Sequence, residues 1–459
     1  MIEQTIAAIA TPSGNGGIGI IKISGPLSKE IARRLFIPNR SAPIDFRSHR
    51  LYYGHIIDSV RGEPIDEVLL TVMHAPNTYT REDVVEINAH AGSTVLERIM
   101  EEVLKNGARI AEPGEFTKRA FLNGRIDLTQ AEAVIDIISA KTEMGLKSAA
   151  AQLNGEMSDR VNVIRNDLIQ VLTEIEAAID FPDDLYDSPD TSGIKSKLNT
   201  HGILPLTRLI HAYDNAHIYR DGARLIIVGR PNVGKSSLMN RLLEKERVIV
   251  TDIPGTTRDV VEDSVNISGV PVILADSAGL HESTDPVEII GMAKTKEHVE
   301  RSHKVLMMLD ADEGITSGDH AVYQRISQLE PILVVNKVDL MASGFKIALP
   351  DSWKVAHTVY VSALFGTGME TIRSAIKKEL IGERDVNDIG IIPRLRHKKA
   401  FEHAIENLEQ AIATLDDNGL FELIKIDLSA AIHTLGSVVG FSADPDILDE
   451  IFSQFCIGK

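Results

Sequence analysis

At 459 residues the chain is too long for one ordinary domain, and about three is the natural prior. An apolar share of 43% supports buried cores, no apolar run approaches the roughly 20 residues needed to cross a bilayer, and nothing in the composition looks disordered. The net charge of −18 works against tight, unaided binding to a phosphate backbone, so a nucleic-acid substrate would be held with help from a second protein. One cysteine, Cys456, excludes a disulfide framework and a cysteine-built zinc site. MIEQTIAAIATPSG lacks the basic start of a signal peptide, and the expectation is a cytoplasmic protein with no membrane segment.

Residues 1–118 mix short β-like runs with turns. IAAIATP, GGIGIIKISGP, EVLLTVMHAP and DVVEINAHAG read as strands, and STVLERIMEEVLKNG as one of two helices, which predicts a modest α+β domain. From Asp127 to Phe181 apolar residues recur at spacings of three and four without a proline, predicting one long helix or two or three in series. FPDDLYDSPDTSG then breaks the pattern, so 119–215 form the first part of a helical domain. Within 216–384, RLIIVG, VPVILADSAG, KVLMMLDADEG, PILVVNKVDL and HTVYVSA are apolar strands alternating with helical segments, the pattern of a doubly wound α/β module. Helical periodicity returns after Pro393. Residues 385–459 therefore complete the helical domain, with the α/β module inserted in it.

GRPNVGKSS, Gly229 to Ser237, follows one of these strands and opens a helical stretch, the context a P-loop requires. Backbone N–H groups of Asn232, Val233 and Gly234 would cradle phosphates, Lys235 would reach the β- and γ-phosphates, and Ser236 would ligate Mg²⁺ beside Ser237. Downstream, in order, come TDIPGTTRD (Thr251, Asp252, Ile253, Pro254, Gly255, Thr256, Thr257), DSAG (Asp276, Ser277, Ala278, Gly279), NKVD (Asn336, Lys337, Asp339) and SAL (Ser362, Ala363, Leu364). Each falls at or near a strand's C-terminal end, where open parallel sheets bind ligands. Asp339 can accept from both N1–H and the 2-amino group of guanine, and adenine would leave it unpaired. The module is expected to bind GTP. Leu280 follows DSAG where many GTPases carry a water-orienting Gln, so the catalytic group must lie elsewhere.

GRPNVGKSS, TDIPGTTRD and DSAGL resemble the broad group of bacterial translation-factor-related GTPases that act on RNA. Outside the α/β module, ATPSGNGGIGIIKISGP, YTREDVVEINAHAG, PGEFTKRAFLNGRIDLTQAEAVIDII and the final FCIGK resemble the MnmE (TrmE) family of tRNA modification GTPases, so that the resemblance spans essentially the whole chain. The resemblance implies an N-terminal domain that dimerises and binds tetrahydrofolate (5-formyl- or methylene-type), a helical domain and a P-loop G domain. It implies C5 modification of the tRNA wobble uridine by a homodimer acting with an FAD-containing MnmG-type protein in a heterotetramer or larger complex, FAD belonging to that partner. K⁺ would lie beside the phosphates on Asn232, Thr251, the Ile253 carbonyl and Thr256, with Thr257 as a second Mg²⁺ contact. Glu288 matches the family's water-orienting residue; by position alone it reads as an exposed acid opening a helical pattern. Glu282, nearer to DSAG, and Arg258 are set aside.

Folate contacts carry over to Lys22, Glu86, Arg125 and Lys459, cations suiting the glutamate tail and a carboxylate the pterin's paired N–H donors. Lys22 stands where the family usually has Arg, Arg81 where it has Gly, and Ala89 where Cys is frequent. Cys456 corresponds to a cysteine linked to modification activity; the competing reading is a small buried hydrophobe at a helix end. A different class of function, a GTP-switched RNP-assembly or stress-response factor without one-carbon chemistry, would fit the α/β module alone.

Overall fold

The computed structural model describes residues 4–12, 14, 16–39, 45–180, 190–246, 264–267, 269–276, 302–382, 390–417, 419–442 and 444–459. The N-terminal part builds a seven-stranded sheet from β1 (Ile6–Ile9), β2 (Ile18–Ser24), β3 (Phe36–Pro38), β4 (Arg50–Ile57), β5 (Pro64–Met73), β6 (Val84–His90) and β7 (Arg109–Ile110). Its order is β3-β4-β5-β6-β2-β1-β7, antiparallel except where β7 pairs β1 in parallel. Alternation decides its faces. Ile21, Ile23, Leu70, Val72, Val85 and Ile87 pack under Ile31, Leu35, Ile99 and Val103 of the helices Ser28–Leu35 and Ser93–Lys105. The intervening residues, Lys22 and Glu86 among them, point to the opposite face. Sequence patterning missed β3, β4 and β7, whose length or mixed polarity leaves little periodic signal.

The run after Asp127 is three helices, Leu128–Ser139, Glu143–Leu153 and Glu156–Asp180. A capping box starts the first: Asp127 Oδ1 accepts from the Gln130 N–H at 2.9 Å, and Gln130 Oε1 from the Asp127 N–H at 3.0 Å. Helix Glu156–Asp180 shares one apolar core with helices Leu204–Asp221, Leu395–Asp416 and Phe421–Val439, through residues such as Leu168, Leu209, Leu408 and Leu435. Segments before and after the α/β module thus close a single helical domain around its insertion.

That module is a six-stranded sheet of β8 (Ala223–Gly229), β9 (Ser264–Ile267), β10 (Val270–Asp276), β11 (Lys304–Asp310), β12 (Ile332–Asn336) and β13 (His357–Tyr360). Its order is β13-β12-β11-β8-β10-β9, parallel apart from the β9–β10 hairpin. Helices Lys235–Glu246 and Met369–Ile381 cover one face and helix Ser317–Ile326 the other. The neighbours of β8 lie on either side of it, so the strand order reverses there and the loop after β8 opens at the switch point. Among the described residues no helix is long and apolar enough to cross a membrane.

Candidate functional site

Asn232 (φ 63°) and Gly234 (φ 99°) bend the loop after β8 through the left-handed region. Asparagine enters that region more readily than most side chains. At Gly234 a Cβ would lie 2.3 Å from Asn336 Nδ2, so the close approach itself requires glycine. The turn delivers the chain into the helix at Lys235, whose free N–H groups and dipole favour an anion in the loop. Lys235 Nζ donates to the Gly229 and Arg230 carbonyls, both at 2.8 Å, which holds the ammonium against the loop. Val233 is buried beneath it, and Ser236 and Ser237 are exposed on the first turn.

Asn336, 3% exposed at the end of β12, ties this loop to a distant one. Its Nδ2 donates to the Val233 carbonyl at 2.8 Å, while its Oδ1 accepts the Ala363 N–H at 2.9 Å. Lys337 (φ 65°) reaches back to the buried Asp310 carboxylate at 2.5 Å. Asp339 is exposed on the turn Val338–Leu340; Ser362 is buried and Leu364 exposed. The P-loop, NKVD and SAL residues therefore gather at the C-terminal edge of the sheet, with Asp276 closing β10 on the same edge. Thr251, Asp252, Ile253, Pro254, Gly255, Thr256, Thr257, Ser277, Ala278, Gly279 and Glu288 lie outside the described residues.

A second cluster forms on the N-terminal sheet's other face. Lys22 and Glu86 are register partners on β2 and β6, with Nζ and Oε1 3.9 Å apart. The Lys22 ammonium lies 5.5 Å from the ring centres of both Tyr79 and Phe116, and the Arg125 guanidinium 4.7 Å from that of Tyr79. Such distances suit cation–π attraction. The C-terminal tail docks beside them: the Phe116 N–H donates to the Lys459 carbonyl at 3.2 Å. Gly458 (φ 96°) permits that approach, because a Cβ there would sit 2.8 Å from Ala10 Cα. Lys22, Glu86, Arg125 and Lys459 are thus brought together from four remote parts of the chain. Burial pushes the Lys22 ammonium below its ordinary value; Glu86 opposes the shift and Lys459 adds to it. Burial also raises the Tyr79 phenol, which shares a 2.9 Å hydrogen bond with Thr117.

Beneath this cluster Arg119, 2% exposed, donates to Glu82 and Glu115 and to the Gln4 carbonyl, and Arg109 also grips Glu115. Sequence reading passed over Tyr79, Phe116, Thr117 and Arg119, although all lie in the quoted YTREDVVE and PGEFTKRAF segments; a motif shows that residues matter, not which face they take. Arg81 occupies the left-handed region (φ 58°), a conformation that glycine adopts without strain. Its Nη1 donates to the Asn123 carbonyl at 2.9 Å, and Asn123 Nδ2 returns a bond to the Thr80 carbonyl at 2.6 Å. Ala89 is buried in the core under the two helices. Cys456 is a free, half-buried thiol whose carbonyl accepts the Lys459 N–H at 3.3 Å.

Two family profiles match the chain: "MnmE helical domain" over residues 128–456 and "GTP-binding protein TrmE N-terminus" over residues 5–125. The tRNA modification GTPase MnmE of Carboxydothermus hydrogenoformans is 44% identical over 466 residues, covering 100% of both chains. The protein of that name from Acetivibrio thermocellus is 42% identical over 467 residues, covering 100% of this chain and 99% of its own. That of Desulfotalea psychrophila is 42% identical over 462 residues, covering 100% and 98%.

Proposed function

Because this chain belongs to the MnmE family of tRNA modification GTPases, we propose that its GTP hydrolysis is K⁺-activated and drives C5 modification of the tRNA wobble uridine. The reaction uses a one-carbon tetrahydrofolate and proceeds with an FAD-containing MnmG-type partner in the cytoplasm. The observation that carries this reading is the convergence of Lys22, Glu86, Arg125 and Lys459 around Tyr79. Three cations and one carboxylate against aromatic rings fit a flat heterocycle with an anionic tail. Cationic groups suit the tail's carboxylates and Glu86 the N–H edge of the pterin; Lys22, 3.9 Å from Glu86, would sit at the pterin end and leave the tail to the other cations. Tetrahydrofolate, when bound, supplies the one-carbon unit. Cys456, three residues before Lys459, would act in the modification step.

In the G domain, Lys235 and the loop N–H groups hold the β- and γ-phosphates, and Asp339 reads the guanine edge. Ser236 and Thr257 would hold Mg²⁺. Asn232, Thr251, Ile253 and Thr256 would hold K⁺, which supplies positive charge where negative charge builds up in the transition state. Glu288 orients the attacking water, directly or through a bridging water. Homodimerisation is supported by the apolar side chains left exposed on the N-terminal sheet, Ile18, Leu51, Tyr53 and Leu69.

The test is nucleoside analysis of tRNA from a deletion strain carrying the parent gene, Lys22→Ala or Glu288→Ala, with GTP turnover in K⁺ and in Na⁺ at equal ionic strength. Expected are loss of the wobble modification in the deletion and both variants, and K⁺-stimulated turnover that Glu288→Ala abolishes with nucleotide binding intact. Fully modified wobble uridines in the deletion strain would point instead to an RNP-assembly factor. Equal rates in the two salts would remove K⁺ from the mechanism.

A further inference from the structure

Arg241 lies in the second turn of helix Lys235–Glu246, the helix that the phosphate-binding loop opens. Its side chain crosses to the loop after β13. Nε–H donates to the Ala363 carbonyl at 3.2 Å and Nη2–H to the Leu364 carbonyl at 2.5 Å. That loop is already closed on itself: the Ser362 N–H donates to the Thr367 carbonyl at 3.0 Å, and the Gly366 N–H to the Ser362 carbonyl at 2.7 Å. The Ala363 N–H meanwhile donates to Asn336 Oδ1. Ala363 is therefore gripped from both sides, by the NKVD segment at its N–H and by the P-loop helix at its carbonyl.

The grip has a direction. In a trans peptide the N–H points opposite the preceding C=O. Binding the Ala363 carbonyl to Arg241 therefore turns the Leu364 N–H away from the helix. A backbone donor presented there suits the O6 acceptor of guanine, whereas adenine carries an amino donor at that position. We infer that Arg241 is a positioning residue for guanine recognition, fixing the 362–364 loop on the helix that carries the phosphate site. Phosphate contact and base contact are thereby made on one rigid unit. A guanidinium is suited to this because its planar fork reaches two consecutive carbonyls; an ammonium is a point donor without that geometry.

The inference rests on the reading that Asp339 and the 362–364 loop border the base. It is tested on the full chain by steady-state GTP hydrolysis and by dissociation of a fluorescent GDP, for Arg241→Ala, Arg241→Lys and Asp339→Ala. Arg241→Ala is expected to raise KM for GTP and speed GDP dissociation about tenfold, the size of one or two net hydrogen bonds. Its kcat should stay within about twofold of the parent, because an aligned phosphate site still performs hydrolysis. Arg241→Lys should fall between. If Arg241 merely stapled the helix, kcat would drop together with any rise in KM, since Lys235 and Ser236 sit on the same helix; that result overturns the inference. Parent-like KM and dissociation in Arg241→Ala also overturn it. If Asp339→Ala is parent-like as well, the base does not lie at this loop, and the placement of the guanine site fails along with Arg241's role.

Discussion

Asn336 offers the sharpest test of how the G domain is held together. Its amide is buried, and both of its polar atoms serve backbone groups of other loops, the Val233 carbonyl and the Ala363 N–H. Asn336→Ala strands both. A buried backbone group left without a partner costs about 1–3 kcal/mol, so stranding two should remove roughly 2–6 kcal/mol, a large share of the 5–15 typical of a domain. Asn336→Asp separates the two halves. The introduced carboxylate still accepts the Ala363 N–H but sets oxygen against the Val233 carbonyl, for a loss of about 1–3 kcal/mol. That loss should shrink at low pH, where a protonated carboxyl donates again. The assay is urea unfolding followed by tryptophan fluorescence. The single tryptophan, Trp353, lies in this domain, its ring stacked on Tyr323 at 4.4 Å. GDP titration of each variant should show weaker binding in the same order. A change below about 0.5 kcal/mol for Asn336→Ala would refute the coupling, because surface substitutions alone produce that much.

Three further outcomes are expected. Arg81→Ala should be less stable than Arg81→Gly by about 1 kcal/mol in calorimetry, since both lose the Asn123 bond but only glycine relieves the left-handed backbone; equal stability would remove strain from the account. Burial alone would raise the Glu115 carboxyl, but Arg109, the Glu112 N–H and Arg119 outweigh it and hold it at about 2, below its ordinary 4.5. Its contribution is therefore complete above pH 4.5 and lost as pH falls toward 2. The stability gap between parent and Glu115→Gln, read by hydrogen exchange across helix Glu115–Leu122, should close over that window, and a pH-independent gap would contradict it. Gly458→Ala should displace the C-terminal tail, because its Cβ would meet Ala10 Cα at 2.8 Å and the Ile9 carbonyl at 2.9 Å. Binding of 5-formyltetrahydrofolate should weaken at least tenfold with basal GTP turnover unchanged, a loss of about 1.4 kcal/mol or more; unaltered folate binding would show that Lys459 takes no part.

The strand–loop–helix of Ala223 to Glu246 was legible because its signals are local: an apolar run, glycines and an asparagine where the backbone must turn, then a helical pattern. The same holds for the β-α alternation and for the start of helix Leu128–Ser139, where Asp127 and Gln130 cap each other across three residues. The short β3, the mixed-polarity β4 and the two-residue β7 were not legible, since their stability comes from neighbours rather than from periodicity.

By itself, then, the sequence determined the elements with a clear local period, the order of nucleotide motifs and, through the family's motifs, which residues to suspect. Only the tertiary structure decided which of them meet. Asn336 joins Val233 to Ala363, Arg241 holds the loop after β13, and Lys22 faces Glu86 while Arg125 covers Tyr79 and the tail lays Lys459 against Phe116. The helices on either side of the insertion share one core for the same reason. Capping and periodicity act over a few residues and leave a mark in the local pattern. Contacts between remote segments depend on how whole sheets and helices bury their apolar faces, and that arrangement is settled only when the chain packs.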